Sequence, residues 1–284
     1  KRQTVFLLGF GLRMQVEDVS DFLVKVIKEE DFNFYDKDEV IFWYCYKNQM
    51  DYLQAQNYRN IYDRKLPLNV TKNYEASDFK NLWDKRDSEK IKEEKLLYYL
   101  SWLKASGIYD NNKKKAFDSF DSMMWKAQTV ISEIYNRDAE ETGKKKQWSP
   151  DKIMPGDVEK MICSGIPMNE NGNLQTMSAS LLKKQFQQYR MSRQRIDGII
   201  KGKLPVERFD LITLNFFLFS QHEEVSGEER CREYIKNTNA ILKGCGMLEI
   251  YPVNPYETYI LICLLSECPL AIYSDIWELS YQEE

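Results

Sequence analysis

The chain carries a single histidine, His222, and no Cys-x-x-Cys pair, which excludes the common zinc sites. Its six cysteines show no disulfide framework, and Cys45 and Cys263 fall in apolar runs, as buried thiols do. That cysteine usage suits a reducing, cytoplasmic compartment. No apolar run reaches the roughly 18 residues of a membrane span, and no signal peptide is visible. Glycine-rich phosphate loops are missing too: Leu8-Gly-Phe-Gly11 lacks a third glycine and sits in a helix-like phrase. No alternating strand pattern stands out, so the chain is expected to be mostly α-helical. His222, in Gln-His-Glu-Glu, has no nameable catalytic partner. Adjacent acids such as Glu29-Glu30 and Glu140-Glu141 point to different helix faces. The expectation is a protein without enzymatic activity, cofactor or metal. Asn69-Val-Thr71 fits a glycosylation sequon, which has no meaning in a cytoplasmic chain.

What remains is a soluble globular composition. Apolar residues make up 43% and charged residues 30% of 284 positions, enough for one large domain or two ordinary ones. Eighteen Tyr and fourteen Phe supply aromatic volume for cores and partner surfaces. The formal net charge of −4 argues against a general nucleic-acid coat and leaves room for a local basic face.

A phrase occurs twice. Arg2-Gln-Thr-Val-Phe-Leu-Leu-Gly-Phe-Gly-Leu12 aligns without gaps with Arg208-Phe-Asp-Leu-Ile-Thr-Leu-Asn-Phe-Phe-Leu218. Arg, Val/Leu, Leu, Phe and Leu recur in step, which suggests two related helical modules. The likeness continues downstream. Asp36-Lys-Asp-Glu39 precedes Val40–Cys45, and Asn254-Pro-Tyr-Glu257 precedes Thr258–Cys263, so each Glu is followed six residues later by Cys. Both stretches read as helix starts, the first as a capping box in which the two side chains serve each other's backbone, the second with Pro at the first helical position. A polar insertion in the second copy, at about His222–Arg230, reads as a loop. Because the first copy opens on this phrase, an equivalent of what precedes the second is expected upstream of Lys1.

Within the first copy, 16–27 has helical spacing. Between the copies, 47–74 mixes helix and loop, and a charged helix starts at Ser77 and ends at Gly107. Phe117, Phe120, Met124, Ala127, Ile131 and Ile134 form a stripe at coiled-coil period, to be buried within the chain or, alternatively, in a homodimer seam. Residues 138–156, with Lys144–Lys146, two Pro and two Gly, read as a linker or long loop. The expected organisation is an N-terminal helical domain 1–137, that linker, and a C-terminal helical domain 157–284.

The chemistry-bearing stretch precedes the second copy. Ser178–Phe186 reads as a short helix, Tyr189-Arg-Met191 as a turn, and Ser192-Arg-Gln-Arg-Ile-Asp-Gly-Ile-Ile200 as a second helix capped by Ser192. Gly202 supplies a left-handed stop. Lys183, Lys184, Arg190, Arg193, Arg195, Lys201 and Lys203 stand there against one acid, Asp197, a basic cluster in an acidic chain. Ser192, Ile196, Ile199, Gly202, Lys203, Pro205, Leu211 and Leu214 resemble the second half of the lambda-repressor/Cro-like (XRE-type) helix-turn-helix family, over roughly residues 174–219. The pattern departs from the family in its turn, which lacks the usual glycine, and at Gly198, which weakens a helix by about 1 kcal/mol relative to Ala.

The resemblance implies that residues 192–202 read double-stranded DNA as part of a transcriptional regulator. Arg193, Gln194 and Asp197 would then face base edges in the major groove. Ser192 would cap the helix, and Lys183, Lys184, Lys201 and Lys203 would hold phosphates, with Arg190 and Arg195 completing the basic cluster. The competing expectation is a helical protein-interaction scaffold with a degenerate helix-turn-helix, binding a partner through aromatic surfaces such as Trp43–Tyr46 and Tyr273–Tyr281.

Overall fold

A computed structural model describes residues 2–64, 66, 74, 76–83, 86–141, 147–163, 189, 191–222 and 224–274. The protein is all-α, and no strand occurs among the described residues. It divides into two compact units, Lys1–Asn112 and Lys113–Glu284.

The first unit holds α1 (Arg2–Gly11), α2 (Val16–Asp21) with a π-helical turn at Phe22–Val26, α3 (Lys37–Lys47), α4 (Tyr52–Arg64), α5 (Ala76–Asn81) and α6 (Glu89–Ser106). α3 lies at its centre: Glu39 to Tyr46 are buried without a break, because neighbours surround the helix on every side. Phe79 of α5 packs edge-on to Trp43 at 5.3 Å, and Tyr99 of α6 packs on Phe79 at 4.6 Å. The charged helix expected from Ser77 is two helices. Ser88 starts the second by accepting the Ile91 N–H, and Gly107, at φ 63°, ends it.

The second unit contains most of α7 (Ile108–Glu141), then α8 (Pro155–Ile162), α9 (Arg193–Ile200), α10 (Arg208–Ser220), α11 (Gly227–Gly244) and α12 (Pro255–Leu265). Phe120, Met124, Ala127 and Ile131 are buried in one cluster with Ile153, Val158, Ile196, Leu214 and Cys263. Four of the six stripe residues therefore pack within the chain, whereas Phe117 is 39% exposed and Ile134 half-buried, and the unit boundary falls before the stripe, not after 137. Nor is 147–153 an open linker. The Asn136 side chain accepts the Trp148 N–H at 2.7 Å and donates to the Trp148 carbonyl at 2.9 Å, Trp148 lies on Tyr135, and Ile153 is buried.

One contact set recurs in both copies. The Arg2 guanidinium grips both oxygens of Glu39 at 2.6 Å and donates to the carbonyls of Glu30 and Asp31 at 2.6 Å. The Arg208 guanidinium grips both oxygens of Glu257 and donates to the carbonyls of Leu248 and Glu249 at 2.7 and 2.6 Å. Glu39 accepts the Asn33 N–H, and Glu257 the Tyr251 N–H, each at 2.7 Å. Asp36 caps α3 by accepting the N–H groups of Asp38 and Glu39; Asn254 caps α12 by accepting those of Tyr256 and Glu257. The expected capping box at Asp36 is thus half present. Glu39 is drawn away by Arg2, because a bidentate charged pair outweighs one neutral hydrogen bond.

The polar insertion is shorter than expected. α11 begins at Gly227, and Arg230 lies within it as a fully buried side chain. Its guanidinium donates to the carbonyls of His222, Val225, Leu264 and Ser266. Four carbonyl dipoles make burial of the cation tolerable.

Candidate nucleic-acid interface

α9 is built as the spacing predicts. Ser192 is extended, and its hydroxyl accepts the Arg195 N–H at 3.2 Å. Ile196 and Ile199 are fully buried, so the helix turns one apolar edge into the core. It stops at Gly202, which sits at φ 65°. The Gly202 N–H donates to the Ile199 carbonyl at 2.9 Å and the Lys203 N–H to the Gly198 carbonyl at 2.8 Å, the paired closure of a glycine-ended helix.

Gly198 has a physical reason. Leu204 folds back over it, and a Cβ at this position would stand 2.6 Å from Leu204 Cδ1. The glycine admits the chain that returns across the helix end, and the cost in helix propensity is the cost of that closure. The sequence marked the position as a flaw because its partner lies six residues away across a turn.

Among the described residues, α8 packs against α9. Glu159 of α8 accepts the Arg193 N–H at 2.9 Å, which adds a carboxylate to the helix N-terminus. Arg193 and Gln194 are exposed at the start of α9, and Lys201 and Lys203 are exposed at its end. Asp197 is half-buried, and its carboxylate lies 3.5 Å from Lys201 Nζ, one turn on. Lys183, Lys184 and Arg190, and the helix expected at Ser178–Phe186, lie outside the described residues.

Arg195 is placed differently from Arg193, Lys201 and Lys203. Its Nε and Nη2 donate to Asp210 Oδ1 and Oδ2 at 2.6 and 2.7 Å, and its guanidinium carbon stands 4.4 Å from the centre of the Phe209 ring. Asp210 is fully buried in the first turn of α10, where it also accepts the Glu207 N–H at 2.7 Å. Burial pushes the Asp210 carboxyl above its ordinary value, and Arg195 and the Glu207 N–H offset part of that rise. For Arg195 burial works against the cation, and the bond to Asp210 outweighs it, so its pKa is raised. The Glu207-x-x-Asp210 spacing before an apolar run was a readable helix-start signal. Its link to Arg195 was not readable, since nothing local ties the two positions.

The aromatic run Trp43–Tyr46 is no surface. Trp43 is 7% exposed, Tyr46 3%, and Tyr44 and Cys45 are fully buried. Burial pushes the thiols of Cys45 and Cys263 up to about 12 each, so both are poor nucleophiles. Tyr273 is buried as well, and Tyr281 lies outside the described residues. His222 is exposed, with its ring 5.0 Å from Phe219.

The fold and these contacts define an all-α protein in which a short, Ser-capped, cation-flanked helix is fixed to the core. No family model, curated protein or solved structure matches the chain. Among the described residues, no helix is long and apolar enough to cross a membrane.

Proposed function

We propose that the protein binds double-stranded DNA as a transcriptional regulator, with α9 entering the major groove. One observation carries the reading. α9 buries Ile196 and Ile199 while leaving Arg193 and Gln194 exposed at its start and Lys201 and Lys203 exposed past its end. A recognition helix presents its N-terminal residues to base edges. Arg193 offers the fork that fits guanine, and Gln194 the amide that fits adenine. Lys201 and Lys203 stand where they would neutralise phosphates, which supplies most of the affinity of such proteins. The aromatic run that would have served a partner-binding scaffold is spent in the core.

Binding of the full chain to a DNA library at several salt concentrations tests this. Arg193→Ala should relax discrimination at one base pair by about 1–3 kcal/mol, and Lys201→Ala should lower the salt slope by about 1 with base preference unchanged. Binding that is absent, or independent of salt, overturns the reading.

A further inference from the structure

The geometry points to Arg195 as the positioning residue of α9, a latch that sets which way Arg193 and Gln194 face, and not as a contact to DNA. The inference rests on α9 being the DNA-reading helix.

Among the described cations of the local basic cluster, Arg195 is the one held against a fully buried carboxylate. It is fastened at two places. Its backbone N–H is held by the Ser192 hydroxyl at 3.2 Å, and its guanidinium by both oxygens of Asp210 at 2.6 and 2.7 Å. Phe209 lies against the guanidinium face, 4.4 Å from ring centre to carbon, and Glu207 Oε2 stands 3.6 Å from Nη2. Asp210 belongs to the next helix and is itself tied down by the Glu207 N–H at 2.7 Å. A planar fork on a carboxylate fixes direction as well as distance, which a point charge does not. Roll and register of α9 relative to α10 are therefore set by this one pair together with the burial of Ile196 and Ile199. Successive residues turn about 100° around a helix, so once Arg195 is pinned toward α10, Gln194 and Arg193 are turned away from it. Both are exposed, whereas only 16% of the Arg195 side chain is. A side chain so engaged would have to leave a fully buried carboxylate unpaired to reach DNA, a large penalty.

The same latch explains why a helix this short can be held in one pose. α9 has eight residues, and an isolated helix of that length is marginal in water. Its order comes from the anchors at its ends: Glu159 and Ser192 at the start, the Gly202 closure at the end, and Arg195 in between.

The test uses the full chain and two conservative variants, Arg195→Lys and Asp210→Asn, with the double variant. Two readouts are taken: hydrogen–deuterium exchange of the α9 amides without DNA, and the ratio of affinities for preferred and random DNA with its salt slope. A latch predicts at least about tenfold faster exchange over 196–200 in either single variant and a double variant no worse than the worse single, as for residues acting as a unit. It also predicts a lowered affinity ratio with an unchanged salt slope. If Arg195→Lys leaves exchange unchanged while lowering the affinity ratio, or if Asp210→Asn changes neither readout, the Arg195–Asp210 pair is not what orders α9 and the inference falls. If the unaltered chain binds no DNA, the reading of α9 as a DNA helix fails, and the exchange data alone decide whether Arg195 orders it.

Discussion

The helix triad α1–α3 and the triad α10–α12 share a clamp and differ in what is hung on it. In both, an arginine at the start of the first helix grips a glutamate in the third and two carbonyls of the preceding loop. The flanks then diverge. α10 carries Phe209 and Asp210, which hold Arg195 of α9, and its Thr213 and Leu214 are fully buried. The aligned residues of α1 are Gln3, Thr4, Leu7 and Leu8, all exposed, Leu8 at 48%. The clamp is thus a way of closing three helices, indifferent to function. The second triad becomes interesting only where its first helix departs from the first triad's. The differences of Gln3 from Phe209 and Thr4 from Asp210 between the copies supply the two side chains that hold Arg195 of α9.

The largest expected effects come from breaking the clamps. The Glu257 side chain is 3% exposed, and that of Glu39 11%. Arg208→Ala leaves a buried carboxylate without its cation and should cost about 3–5 kcal/mol of stability, whereas Arg2→Ala should fall at or below the low end of that range. Denaturant unfolding, with hydrogen exchange to report on α3 and α12 separately, measures both. Equal losses would show that burial of the glutamate does not set the strength of the clamp, and that the two triads are more alike than their surroundings suggest.

A smaller difference lies in the caps. α12 is capped by a neutral Asn254, but α3 by Asp36, whose carboxyl is pushed up to about 6 by burial and by the charges of Glu39 and Asp38. The ordinary value is 3.8. A carboxyl whose folded pKa is raised favours the protonated form on folding, so its contribution is most favourable below the unfolded value and is lost as pH rises through the folded one. The ionised cap therefore costs stability above about pH 6, and acidification toward pH 4 relieves that cost. Asp36→Asn should stabilise the first unit by about 1–2 kcal/mol at pH 7.5 and by little at pH 4. Thermal or urea melts at the two pH values decide the matter. A gain that persists unchanged at pH 4 would mean that the cap charge is not its source.

These comparisons also show what a sequence can disclose. Helix ends were legible where the signal is local: Ser192 as a cap, Gly107 and Gly202 as left-handed stops, the Pro at the start of α12. The repeat was legible because it preserves spacing. What escaped was long-range. Glu39 looked like a capping residue because its arginine partner lies in a different helix. Arg195 looked like one more basic residue because Asp210 cannot be assigned to it without the packing of α9 on α10. Trp43–Tyr46 suggested a surface because periodicity cannot tell a helix wrapped on all sides from one with an aromatic face. The unit boundary was placed too late because the α7 stripe does not announce which core it joins.

A last difference separates two glycines, and the smallest single effect belongs to one of them. Gly9 in α1 and Gly198 in α9 each sit inside a helix, and each has a side chain where a Cβ would go. At Gly9 the neighbours are Tyr46 Oη at 2.8 Å and Val19 Cγ2 at 2.9 Å, both on buried side chains that cannot retreat. At Gly198 it is Leu204, which is 42% exposed and can swing into solvent. Gly9→Ala should therefore cost about 1–3 kcal/mol by overpacking. Gly198→Ala should come out near zero, a helix-propensity gain of about 1 kcal/mol set against the displaced leucine. The balance can be opened by adding Leu204→Ala. With the obstruction gone, Gly198→Ala should stabilise that background by nearly the full propensity gain. A Gly198→Ala change that destabilises both backgrounds alike would place the constraint in the backbone of α9, where the Lys203 and Leu204 N–H groups meet the Gly198 carbonyl, and not in the leucine.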